Sequence, residues 1–198
     1  MYKSLLLWVP VVLMVMLVTV AGGIKAGARA ARDTRTPTCK VSAIDVDLDG
    51  DGRTEHVKIA HVDGDAWLDV YQNGEMRSST RVGAWHDDAE LDAADVNGDG
   101  RTDLALAPAE GARAVTVLPG AGTGLDAARA VTVTPPGGKG DAVQLLALAD
   151  YDGDGRADLV LRTVHGATRD TVTVHPGTAK GTAARPSLSF TSADLLPR

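Results

Sequence analysis

A lone cysteine, Cys39, leaves this chain nothing to pair with inside itself, and a zinc centre would need several more ligands than one thiol provides. Cys39 therefore reads as a small residue at the start of the first strand, with intermolecular pairing or lipidation as the alternatives. The preceding Thr36, Pro37 and Thr38 lack the small apolar run that lipidation of an exported leader uses. Aromatics make up only 4% of the 198 residues, with a single Phe. Positive charge is also scarce beyond the N-terminus. The first 37 residues hold five basic side chains and one acid, so the rest hold 15 basic and 25 acidic ones, a net of −10. A body of that charge repels phosphate backbones and excludes nucleic acid as a partner. No G-x-S-x-G and no H-E-x-x-H spacing occurs among the residues, including the five histidines His56, His61, His86, His165 and His175, which read as surface or turn residues.

Two glycine-rich segments resemble phosphate loops only superficially. Gly120-Ala121-Gly122-Thr123-Gly124 is followed by strand-like residues rather than a helix, and Gly138-Lys139-Gly140 lacks the hydroxyl residue that must follow the lysine. Both read as turns. Trp67 and Trp85 read as core or sheet-contact residues, with sugar stacking as the alternative. The acids are accounted for by the loops described below, so a pair serving glycoside hydrolysis is not called for. The chain reads as a non-enzyme, with a secreted hydrolase of polysaccharide or ester as the alternative.

What the sequence does have begins with an uncharged stretch, LLLWVPVVLMVMLVTVA, over residues 5–21. Its 17 residues sit at the lower limit for crossing a bilayer and slightly above the apolar part of a cleaved signal. It shows no polar face, which a helix on a globular core would need. Residues 1–21 are read as a signal peptide or membrane anchor and 22–37 as a flexible linker. Small-x-small patterns at Ala26-Gly27-Ala28 and Ala28-Arg29-Ala30 would suit cleavage, whereas the basic residues after the run favour keeping that side in the cytoplasm. Export is the expectation, and the choice between cleavage and retention stays open.

The body, residues 38–198, repeats. DLDGDGRTE from Asp47, DVNGDGRTD from Asp95 and DYDGDGRAD from Asp150 align without gaps, with starts 48 and 55 residues apart. A second marker follows each by about twenty residues: LDVYQNG from Leu68, VTVLPG from Val115 and VTVHPG from Val172. Between them lie short alternating or apolar runs bounded by Gly or Pro, about four strands per unit. EHVKIAHV, AWLDVYQ, MRSSTRVG and ELDAADV fill the first unit. DLALAP, ARAVTVLP, ARAVTVTP and AVQLLALAD fill the second, and DLVLRTV, DTVTVHP and SLSFTSA the third. The units are placed at about 38–90, 91–145 and 146–198. Four-stranded sheets at this period are the pattern of propeller blades.

The loops have the chemistry of a calcium site. Calcium takes six to eight oxygens at about 2.3–2.6 Å. Acids on alternate residues turn several carboxylates to one side, and the Gly after the third allows the sharp turn. Site one comprises Asp47, Asp49, Asp51 and Glu55, with the Arg53 carbonyl. Site two comprises Asp95, Asn97, Asp99 and Asp103, with the Arg101 carbonyl. Site three comprises Asp150, Asp152, Asp154 and Asp158, with the Arg156 carbonyl. Asn97 leaves site two one charge short, so it is expected to bind most weakly. An EF-hand is excluded: its twelfth position needs Glu, and here stand Lys58, Leu106 and Leu161.

On these residues the chain resembles the FG-GAP/VCBS repeats, the blades of integrin-α-like β-propellers, in DGDGRTEHVKIA, NGDGRTDLALA and DGDGRADLVL. The resemblance covers about Thr38 to Arg198. It implies an all-β, propeller-like array of three four-stranded blades with calcium loops, preceded by an N-terminal hydrophobic helix, and about three Ca2+ per chain. It implies an exported or membrane-anchored module that binds a protein or carbohydrate ligand. Closed propellers have four to eight blades. Three therefore stay as an open stack, join a second copy in a homo-oligomeric ring, or complete a partner.

Overall fold

The structure is a computed structural model that describes residues 43–84, 89–107, 112–138, 140–165 and 169–191. The leader, the linker, Cys39, Trp85, His86 and Lys139 lie outside the described residues. Among the described residues there is no α-helix, and none long and apolar enough to cross a membrane. The fold is all-β and antiparallel, in three four-stranded sheets that belong to one compact unit.

The first sheet is a meander of β1 (Ala43–Val46), β2 (Glu55–Val62), β3 (Asp65–Gln72) and β4 (Glu75–Ala84). Its two hairpin turns are the dipeptides Asp63-Gly64 and Asn73-Gly74, all four residues at positive φ (52°, 84°, 53° and 82°). This two-residue geometry matches the strand twist, and only Gly, Asn and Asp enter it cheaply. β2 and β3 alternate, with Val57, Ile59, Ala66, Leu68 and Val70 buried and the intervening residues more exposed.

The second sheet contains β5 (Glu90–Ala94), β6 (Asp103–Ala107), β7 (Val115–Leu118) and β10 (Val131–Val133). Between its last two strands stand a small hairpin, β8 (Gly120–Ala121) with β9 (Gly124–Leu125), and a 3-10 turn at Ala127–Arg129 capped by the Asp126 carboxylate. The third sheet contains β11 (Ala142–Ala149), β12 (Asp158–His165), β13 (Arg169–His175) and β16 (Leu188–Thr191). It carries the same kind of inserted hairpin, β14 (Gly177–Thr178) with β15 (Gly181–Thr182).

The middle sheet is covered on both faces. Leu104, Leu106 and Leu118 pack with Val57, Ile59, Leu68 and Val70 of the first sheet. Ala105, Ala107, Val115, Val117 and Val133 pack with Val143, Leu145, Leu148, Leu159 and Leu161 of the third. That is why Leu104–Ala107 are apolar without a break and all of β6 is buried, while EHVKIAHV alternates.

Four expectations are corrected. ELDAA and AVQLLALA, read as closing one unit, instead open the next sheet, because each pairs antiparallel with the strand after its acidic loop (Ala94 opposite Asp103, Ala149 opposite Asp158). Residues 127–129, read as the start of a strand, form the 3-10 turn because Asp126 accepts the Ala128 and Arg129 N–H groups. Trp67 is not in the core: it alternates with buried Ala66 and Leu68 and lies half-buried on the opposite face of the first sheet. His175 is fully buried rather than at the surface. Its Nδ1 lies 3.1 Å from the Ala183 carbonyl and its Nε2 3.2 Å from Thr173 Oγ1, which satisfies a neutral imidazole.

Candidate metal centres

Each acidic loop joins the first two strands of a sheet, and its first acid wraps it. Asp47 accepts the N–H groups of Gly50 (2.7 Å) and Gly52 (2.9 Å), and Asp95 those of Gly98 (2.7 Å) and Gly100 (2.9 Å). Asp150 accepts those of Asp154 (3.2 Å) and Gly155 (2.9 Å). The third-position residue makes its own turn: Asp49 takes the Asp51 N–H and Asn97 that of Asp99. The fifth-position acids cap the Arg N–H two residues on, Asp51 to Arg53, Asp99 to Arg101 and Asp154 to Arg156.

The ninth position arrives from the strand after the loop and is buried. Glu55, Asp103 and Asp158 are 4%, 1% and 1% exposed. Glu55 Oε2 accepts the Leu48 N–H at 2.8 Å, and Asp103 Oδ2 the Val96 N–H at 3.0 Å. The second oxygen of Asp103 takes the Gly120 N–H at 2.9 Å, and Asp158 takes that of Gly177 at 3.0 Å. These glycines end VTVLPG and VTVHPG, so the second marker recurs because it holds the ninth acid. In the first sheet a tight turn replaces the Pro-Gly corner, and the longer Glu55 reaches the Gln72 amide at 3.0 Å instead. Burial holds the Asp103 carboxyl above its ordinary range. The Gly120 and Val96 N–H groups pull it down, and the Asp99 and Asp95 carboxylates push it further up.

Two groups of three acids converge. Ligand oxygens of Asp47, Asp49 and Glu55, and of Asp150, Asp152 and Asp158, lie within 4.8 Å of one another in each group. Oxygens at about 2.3–2.6 Å from one cation stand at most about 5 Å apart, so this spacing and the all-carboxylate donor set fit calcium. Asp51 and Asp154 are not in these groups. The second loop forms no such trio of acids, since an amide, Asn97, stands at its third position.

The arginines at position seven have a role the sequence reading missed. It assigns them a carbonyl; their side chains link neighbouring loops. Arg101 Nε donates to the Asp49 carbonyl at 3.2 Å and Arg156 Nε to the Asn97 carbonyl at 3.4 Å. Beside them the Thr102 N–H donates to the Asp47 carbonyl (2.8 Å) and the Ala157 N–H to the Asp95 carbonyl (2.7 Å). The signal was present in the sequence as an Arg at one loop position three times over, but only the stacking of sheets says what it touches.

Away from the loops, Asp141 Oδ2 lies 2.8 Å from His165 Nδ1, and His165 Nε2 lies 3.1 Å from Thr171 Oγ1. Asp141 also accepts the Gly138 N–H. That bond and the imidazole hold its carboxyl below the ordinary range.

Four-stranded antiparallel sheets in series, each with a recurring acidic loop between its first two strands, define a β-repeat protein with candidate cation sites. Residues 95–161 match the family model of the FG-GAP-like repeat. The matched span starts at the second loop and ends in β12, beyond the third loop, so the family's frame begins at a loop while each sheet begins one strand earlier. No curated protein matches the chain.

Proposed function

We propose that this chain is an exported, calcium-stabilised module of propeller-like blades that binds a protein or carbohydrate ligand and is not an enzyme. The observation that carries the reading is the convergence of three carboxylates in each of two loops at calcium spacing. Asp47, Asp49 and Glu55 would hold one ion, and Asp150, Asp152 and Asp158 another. The second loop, with Asp95, Asn97, Asp99 and Asp103, would hold a third more weakly. Each ion would neutralise acids that otherwise repel, on a strand pair that also anchors the next loop. The apolar leader supports export, where calcium is plentiful enough for modules of modest affinity.

The test is metal content and thermal unfolding of the full chain with calcium and with chelator. Two to three calcium ions per chain and a clear fall in melting temperature on chelation are expected. A site at a hundred times its Kd adds about 2.7 kcal/mol. An unchanged melting temperature with no bound metal would defeat the reading. One observation favours a second reading, a hydrolase: Asp141, His165 and Thr171 stand in the acid–imidazole–hydroxyl order of an activated nucleophile. Turnover of ester or polysaccharide substrates that disappears in Thr171→Ala would establish it.

A further inference from the structure

The sheets stack in one direction, and equivalent positions can be compared through the register. Opposite His56 stands Tyr71, opposite Leu104 stands Leu118, and opposite Leu159 stands His175. The receiving face of the second sheet is Leu104, Leu106, Thr116 and Leu118, with Leu91 and Ala93 beside them. The three leucines of β6 and β7 are buried in the core against the first sheet. The receiving face of the third sheet is Leu159, Leu161, Thr173 and His175, with Leu145 and Leu148, all buried. In the first sheet the same positions carry His56, Lys58, Asp69 and Tyr71, with Asp45 on β1. His56 and Lys58 are exposed, and His56 Nδ1 lies 2.7 Å from Asp45 Oδ1.

Two further features separate the first sheet from the others. The inserted hairpins of the second and third sheets lean on the sheet before them. Gly124 in β9 approaches Ser78 of β4 so closely that a Cβ would stand 2.0 Å from its hydroxyl, and a Cβ on Gly181 would stand 3.3 Å from Val131 of β10. The first sheet has no such hairpin, only Asn73-Gly74. Likewise Arg101 with Thr102 and Arg156 with Ala157 grip the preceding loop, whereas Arg53 and Thr54 are exposed.

Farther from the loop on the same face Trp67 stands half-buried opposite Ala60. We infer that the loop-side part of this outer face, Asp45, His56, Lys58 and Asp69, caps the stack: it stays in water and does not receive a sheet from a second copy of this chain. Closing a ring from two copies, or extending the stack head to tail, would place a sheet face over Asp45, Lys58 and Asp69. These charges would be stripped of water where the other two sheets offer leucine, alanine and threonine. None of these face residues is a loop acid, so the cap does not depend on calcium binding.

The test is chemical footprinting of the full chain from micromolar to millimolar concentration, with acetylation reporting on Lys58 and carbethoxylation on His56. The expected result is modification at the same rate throughout, whatever mass light scattering reports. Protection of Lys58 and His56 that grows with concentration would overturn the inference. As a second arm, His56→Leu with Lys58→Leu restores the Leu-x-Leu of the other sheets. It is expected to shift the protein from its wild-type mass to larger, concentration-dependent species. A folded double variant that keeps the wild-type mass would overturn the claim that these side chains cap the stack. If the variant fails to fold, the wild-type footprint decides.

Discussion

Replacing Gly120 by Ala tests the link between the Pro-Gly corner and the buried loop acid. A Cβ there would stand 2.4 Å from the Thr102 carbonyl oxygen and 2.6 Å from that of Leu48. Both are backbone atoms, and the Asp47 carbonyl beside Leu48 accepts the Thr102 N–H, so neither can swing aside like a flexible side chain. Relief requires Gly120 to back away from Asp103, stretching the 2.9 Å bond to a carboxylate that is 1% exposed. Overpacking costs about 1–3 kcal/mol, and a hydrogen bond to a charged group contributes about 1.5–3 kcal/mol. At roughly 2–4 °C per kcal/mol, the melting temperature should fall by about 5–24 °C. Gly122, two residues along, is the control, since a Cβ there meets nothing within 4 Å and its φ is not left-handed. Gly122→Ala should stay within about 0.5 kcal/mol of wild type. Thermal unfolding of both variants in one calcium-containing buffer is the assay. Equal melting temperatures would mean that the close approach at Gly120 does not hold Asp103 in place.

Arg101→Ala should cost about 1 kcal/mol in urea unfolding by removing the bond to the Asp49 carbonyl. Arg53→Ala, at an exposed position, should be near neutral. Asn97→Asp gives the second loop a full set of acids and should tighten calcium binding there, read by titration calorimetry as a stronger site; an unchanged isotherm counts against the loop as a site. Burial holds the His175 imidazole below its ordinary value, so the folded state takes up its proton less readily than the unfolded chain. Stability from this group is therefore intact above about pH 6.5 and declines as pH falls below it. His175→Leu, which copies the equivalent Leu118, should flatten that part of the pH–stability curve.

Strands and turns were legible because they depend on neighbours in the chain. The alternation of EHVKIAHV and the apolar run that follows Asp103 in DLALA announce strands. The loop acids were legible for the same reason, since five or nine residues suffice to turn Asp47, Asp49 and Glu55 toward one point. Membership of ELDAA and AVQLLALA was not legible. A strand between two loops can pair forward or backward with equal local propensity, and register with Asp103 and Asp158 decides it.

The β class, the three repeats and the recurring acidic loops thus follow from spacing along the chain, whereas of the four acids expected at each site only three converge in the first and third loops, without Asp51 or Asp154. Tertiary structure alone decided what holds the ninth acid, where the position-seven arginines reach, and that His175 is buried while Trp67 is not. Those outcomes depend on which sheet lies against which face, and the residues that meet there, such as Arg101 with Asp49 or Gly177 with the Val96 carbonyl, are far apart in sequence and are brought together only by packing.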